Sequence, residues 1–163
     1  RSGIIGRAPG IRNAARPVKE AAMMSSEAVV RRVGKFENEI QIGRHRLIGD
    51  EPRAAGGEDR GPDPYGFVLA ALGTCISMTL TLYADRKEWP LEGVEVRLSH
   101  SKVYWEDCAE CDETDGEAGT MLDRIEKEVI LEGPLDDTQR ERLLDIASKC
   151  PVHRTLTGKV VIA

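Results

Sequence analysis

At 163 residues the chain has the length of one domain and can bury a core without metal or disulfide staples. A formal charge of -5 offers no basic face to a phosphate backbone, which argues against nucleic acid as a partner, and 40% hydrophobic with 31% charged residues is ordinary globular composition. Four cysteines are too few for a disulfide scaffold. A cytoplasmic setting would keep them reduced, leaving reactive, metal-binding or buried thiols.

Residues 1–24 are basic, lack a helical or strand period and begin without methionine, so they read as a disordered tail or leader, with Met24 an alternative start. The rest, 25–163, reads as a single domain. From Ala28 short β-branched runs (Val29, Val30 and Val33, then Ile40 and Ile42, then Leu47 and Ile48) are punctuated by Gly34, Asn38 and Gly43, the pattern of a β-meander. Residues 50–63 are rich in Gly, Pro and charge and form a loop. Its Gly56, Gly57 and Gly61 lack the spacing of a phosphate-binding loop.

Pro64 suits the first turn of a helix and Asp63 can cap it. The helix is expected to run to about Lys87. Residues 65–84 carry no charge over twenty positions, the length of a membrane span. Gly66, Gly73, Thr74, Ser77, Thr79 and Thr81 dilute the run, so a helix buried in a core is the better reading, and no membrane is expected. Pro90 and Gly93 break the pattern, after which Val94, Val96 and Leu98 alternate with polar residues as a half-buried strand reaching Trp105.

An acidic connection over 106–119 leads to a second strand through Ile125, Val129 and Leu131, making a long hairpin. Asp136 with Gln139 resembles a capping box opening a second helix, which is expected to end at Cys150 and Pro151. Residues 159–162 read as a final strand. Few, long helices that do not alternate with single strands make the fold class α+β.

Cys75, alone on an apolar helix, reads as a small core residue. Cys150 stands beside Lys149, His153 and Arg154, where positive charge favours a thiolate and a helix C-terminus opposes it. If the two act together, Cys75 attacks first, aided by a cation the fold supplies, and Cys150 resolves the resulting sulfenic acid. Arg44, Arg46, Arg53 and Arg60 are the candidates for that cation.

Cys108 and Cys111 form one C-x-x-C among acids, an incidental pair, a metal site or a labile disulfide. His100 is a possible extra ligand, but no second ligand pair completes a zinc set, so neither metal nor cofactor is expected. His45 and His100 read as surface or strand residues, while His153 can tune Cys150.

From about residue 50 to 163 the chain resembles the OsmC/Ohr family, through Gly61-Pro62-Asp63-Pro64 opening the long helix, Cys75 within Ala71-Leu72-Gly73-Thr74-Cys75, and Cys150-Pro151-Val152. The resemblance implies an intertwined homodimer with long buried central helices, Cys75 as peroxidatic and Cys150 as resolving cysteine, a hydroperoxide substrate and a thiol reductant. It also implies a glutamate ten residues before the first cysteine that orients an activating arginine. This chain has Tyr65 there, which points to a divergent branch, with Glu58 or Asp59 as candidate substitutes. The expected function is a thiol-dependent peroxidase in oxidative-stress defence. Alternatives are thiol/disulfide exchange and non-catalytic binding of a hydrophobic small molecule.

Overall fold

The structure, a computed structural model, describes residues 27–108 and 119–163. The expected tail and Cys111 lie outside them. Three short strands, β1 (Ala28–Arg32), β2 (Asn38–Ile42) and β3 (His45–Gly49), pair antiparallel in sequence order, with Val30 opposite Ile40 and Ile40 opposite Leu47. This is the meander that the β-branched runs and intervening turn residues predict. Its β1 is exposed along its whole length. The meander meets the rest of the chain at its end, where Gly49 lies against the ring of Phe67, and at the β1–β2 turn, where Lys35 donates to the Gly56 carbonyl at 3.3 Å.

The loop after β3 is ordered by a buried acid. Asp50 accepts backbone N–H bonds from Glu51 at 2.9 Å, Glu58 at 3.0 Å and Arg60 at 3.3 Å. Burial pushes its carboxyl up, but the three donors outweigh that and hold it below the usual carboxylate value. Gly57 and Gly61 allow the loop to close, since a Cβ there would sit 1.9 Å from the Glu51 carbonyl oxygen and 2.1 Å from that of Ile48.

Helix α1 (Pro64–Lys87) has the expected bounds. The Asp63 side chain accepts from the Gly66 N–H at its start. Glu88 ends it in the left-handed region at φ 55°, its N–H reaching the Ala84 and Asp85 carbonyls, and Pro90 prevents continuation. The expected burial is only partly met. Leu72, Ile76, Leu80 and Ala84 are buried, a stripe repeating every four residues, while Met78 and Leu82 on the other side stand open. One chain supplies cover for one face of this helix.

That cover is the hairpin of β4 (Gly93–Tyr104) and β5 (Met121–Glu132), together with α2 (Asp137–Ala147) and α3 (Pro151–Leu156). The two strands pair over their full length, Gly93 opposite Glu132 through Tyr104 opposite Met121. Val94, Val96, Leu98, Ile125, Val129 and Leu131 face the helix, and Gly73 lets α1 approach until Leu98 Cδ1 is 3.1 Å from where a Cβ would be. Leu143 and Ala147 of α2 complete the core.

The Asp136–Gln139 capping box forms as expected. Two expectations fail. The second helix stops at Ala147, and a separate helix begins at Pro151, so Cys150 is the N-cap of α3 and not a helix C-terminus. Residues 159–162 form no strand, and Val160, Val161 and Ile162 are exposed; among the described residues no strand pairs with them, and a strand needs a partner for its backbone hydrogen bonds.

Candidate functional site: two thiols at the start of α3

Cys75 and Cys150, seventy-five positions apart in sequence, are brought together by the packing of α3 on the middle of α1. Both are free thiols. The first turn of α3 serves both sulfurs. The Val152 N–H donates to Cys75 Sγ at 3.4 Å, and the His153 N–H donates to Cys150 Sγ at 3.3 Å. These are orphan donors of a helix start, and they are aimed at sulfur.

The local cause is legible after the fact. Cys150-Pro151 repeats the grammar of Asp63-Pro64, a capping acceptor followed by proline at the first helical position. What sequence reasoning missed is the pair of backbone donors, and this Cys-Pro step was the signal that could have found them.

The two thiols differ in environment. Cys150 is fully buried. Burial pushes its thiol up, the neighbouring Cys75 adds to the rise, and the His153 and Val152 N–H groups pull the other way without cancelling it. Cys75 is half-buried and lines an open apolar pocket with Ile42, Phe67, Met78, Leu82 and Pro151. Cys75 is thus the thiol that the pocket reaches, and Cys150 is closed off from solvent.

Other expected participants lie elsewhere. Tyr65 stacks on His100 with centroids 3.9 Å apart, and its hydroxyl donates to Asp123 Oδ1 at 3.4 Å. Ten residues of helix place it about 15 Å along α1 from Cys75. His100 also pairs with Asp123 at 2.9 Å, so it is engaged on the hairpin. Glu58 and Asp59 are built into the loop closed on Asp50. Arg60 pairs with Glu37 at 3.7 Å. Among the described residues, no hydrogen bond or ion pair joins Arg44, Arg46, Arg53 or Arg60 to either sulfur. Cys108 is disulfide-bonded, and no cluster of metal-ligating side chains occurs among the described residues.

The family model described as OsmC-like protein matches residues 56–163, a stretch that contains α1, the hairpin and both thiols. The chain belongs to the OsmC-like protein family. Solved structures share the fold of this OsmC-like protein at low identity. The OsmC-like protein of Mycoplasma pneumoniae is 21% identical, with a TM-score of 0.64 over 82% of this chain and 88% of that one. The organic hydroperoxide resistance protein OsmC of Legionella pneumophila, described as a predicted redox protein, is 19% identical, with a TM-score of 0.62 over 85% and 93%. The organic hydroperoxide resistance protein OhrB of Bacillus subtilis is 20% identical, with a TM-score of 0.56 over 83% and 93%. No curated protein matches the OsmC-like chain.

Proposed function

We propose that this OsmC-like protein is a thiol-dependent peroxidase that reduces organic hydroperoxides or hydrogen peroxide through Cys75 and Cys150. The observation that carries the proposal is the pairing of an accessible thiol in an apolar pocket with a buried second thiol interacting with it, both bonded to one helix turn. Cys75 attacks the O–O bond as thiolate, releases the alcohol and becomes a sulfenic acid. Cys150 displaces hydroxide from that sulfur, which leaves as water, and the disulfide is reduced by an external thiol. A cytoplasmic location accords with two thiols that must return to the reduced form.

The same proposal makes the protein a homodimer. The open side of α1 exposes Met78 and Leu82, and residues 159–162 expose Val160, Val161 and Ile162, large apolar side chains of the kind that interfaces between chains cover. Among the described residues none of Arg44, Arg46, Arg53 and Arg60 is bonded to the Cys75 sulfur, and on this reading a second copy can supply an activating cation.

The test is peptide mass spectrometry of the reduced protein after one equivalent of an alkyl hydroperoxide or of hydrogen peroxide, with thiol loss followed in time. A rapidly formed Cys75–Cys150 disulfide is expected, and slow, unselective oxidation of all thiols would refute the peroxidase reading. Cys75→Ser abolishes turnover on this reading, whereas a non-catalytic binding module would keep its ligand affinity.

A further inference from the structure

Sulfur gathers at the pocket on the open side of α1. Cys75 and Met78 lie three positions apart, neighbours on the helix surface, and line the pocket together. Cys150 belongs to the buried core against which Cys75 packs, and the two thiols interact directly. Met78 is 62% exposed, and its unbranched, flexible side chain can turn its thioether toward the Cys75 sulfur. Apart from the hydroxyls of Thr74 and Thr79 the lining is apolar, with Ile42, Phe67 and Leu82 in it. Among the described residues no carboxylate, imidazole or amine takes part.

This donor set selects a metal partly by what it lacks. Calcium and magnesium take oxygen ligands, and structural zinc takes a full tetrahedral set of nitrogen and sulfur. Among the described residues no three His, Cys, Asp or Glu side chains come together, so none of these ions is served. Two thiols with a thioether beside them are soft donors. Soft sulfur selects cuprous copper, a closed-shell ion that fewer ligands satisfy.

The thiols are also held as a metal requires. The Val152 N–H donates to Cys75 Sγ at 3.4 Å and the His153 N–H to Cys150 Sγ at 3.3 Å. Hydrogen bonds of this kind favour the thiolate and fix the direction of a ligand sulfur. Two thiolates around a monovalent cation leave a single net negative charge, and both N–H groups point at the atoms that carry it.

We propose that Cys75, Cys150 and Met78 form a binding site for a soft monovalent metal ion, with cuprous ion as the ligand. On binding, both S–H bonds break, the protons pass to solvent, and two copper–thiolate bonds form. The Met78 thioether adds a dative bond, and no atom changes oxidation state. The site stands without the peroxidase reading. If both hold, they exclude each other on one chain at one time, because a metal-bound sulfur cannot close the disulfide and the disulfide has no thiolate to offer.

The experiment uses the full chain with Cys108→Ser and Cys111→Ser, so that the loop thiols bind no copper. This parent is reduced, freed of reductant and titrated without oxygen with cuprous ion against bicinchoninate, a cuprous chelator. One copper per chain is expected, with the ultraviolet absorption of copper–thiolate bonds, and an excess of zinc should not displace it. Cys75→Ser and Cys150→Ser should each weaken binding about a hundredfold or more, and Met78→Leu about tenfold, the range over which even groups that only orient a metal ligand act. X-ray absorption of the copper-loaded parent should show sulfur neighbours alone. Equal affinity in the parent and in Cys75→Ser overturns the proposal, and so do nitrogen or oxygen neighbours on the copper or its displacement by zinc. Met78→Leu within about twofold of the parent overturns the three-sulfur site. Cys75 is only half-buried, so Cys75→Ser and the absorption spectrum of the parent decide the matter even where Cys150→Ser fails to fold.

Discussion

Cys150 carries two structural duties, and replacing it separates them. It is fully buried, and its sulfur accepts the His153 N–H as the N-cap of α3. In Cys150→Ala the cap acceptor disappears, which costs about 1 kcal/mol. A buried group of roughly methylene size is also lost, costing about another 1 kcal/mol. The sum is about 2 kcal/mol.

In Cys150→Ser the acceptor is kept in a residue type that caps helices well, a gain of up to about 1 kcal/mol. A hydroxyl must then be buried with little beyond the Cys75 sulfur to receive its proton, a cost of about 1–3 kcal/mol. The net cost is about 1 kcal/mol, smaller than for alanine. Urea unfolding under reducing conditions at one fixed protein concentration reads the order, since an obligate dimer would make the midpoint concentration-dependent. With a urea slope of about 2 kcal/mol per molar, alanine lowers the midpoint by about 1 M and serine by about half that. A serine variant equal to or worse than alanine would refute the expected order, because burying the hydroxyl would then outweigh the N-cap bond that serine keeps.

Two further predictions concern the loop that leads into α1. Gly57→Ala and Gly61→Ala should each destabilise the protein more than Gly43→Ala, because the first two place a Cβ 1.9 Å and 2.1 Å from a backbone oxygen whereas Gly43 opens on empty space; at Gly43 only the left-handed backbone opposes the change, at about 1–2 kcal/mol, and equal unfolding midpoints for all three would contradict the loop's geometry. Asp50 has a folded-state pKa held below its unfolded one, so its contribution is present above the ordinary carboxylate value of about 3.9 and fades as pH falls through the lower folded value. Asp50→Asn should flatten that part of the acid limb of a stability profile, and an unchanged limb would show that the three N–H bonds do not discriminate between the charged and neutral side chain.

Much of the fold follows from local signals. Asp63-Pro64 and the Glu88 to Pro90 break delimit α1 because caps and proline act within one helical turn. The Asp136–Gln139 box opens α2 for the same reason, and the alternation of Val94, Val96 and Leu98 marks a strand whose one face is buried. Cys75 and Cys150 were also legible as candidates, from their residue type and from the resemblance their flanking motifs carry.

Tertiary structure decided what depends on contacts across the chain. Residue type and spacing say nothing of whether two sulfurs seventy-five positions apart meet, and it is the packing of α3 on α1 that joins them. The break between α2 and α3, which turns Cys150 from a helix end into an N-cap, was written in Cys150-Pro151, yet Lys127 bonding across to Ser148 was not, since a strand sequence does not reveal what lies opposite its face. Residues 159–162 show the converse. Their β-branched composition favours a strand, but a strand exists only where another edge accepts its hydrogen bonds, and among the described residues none pairs with them.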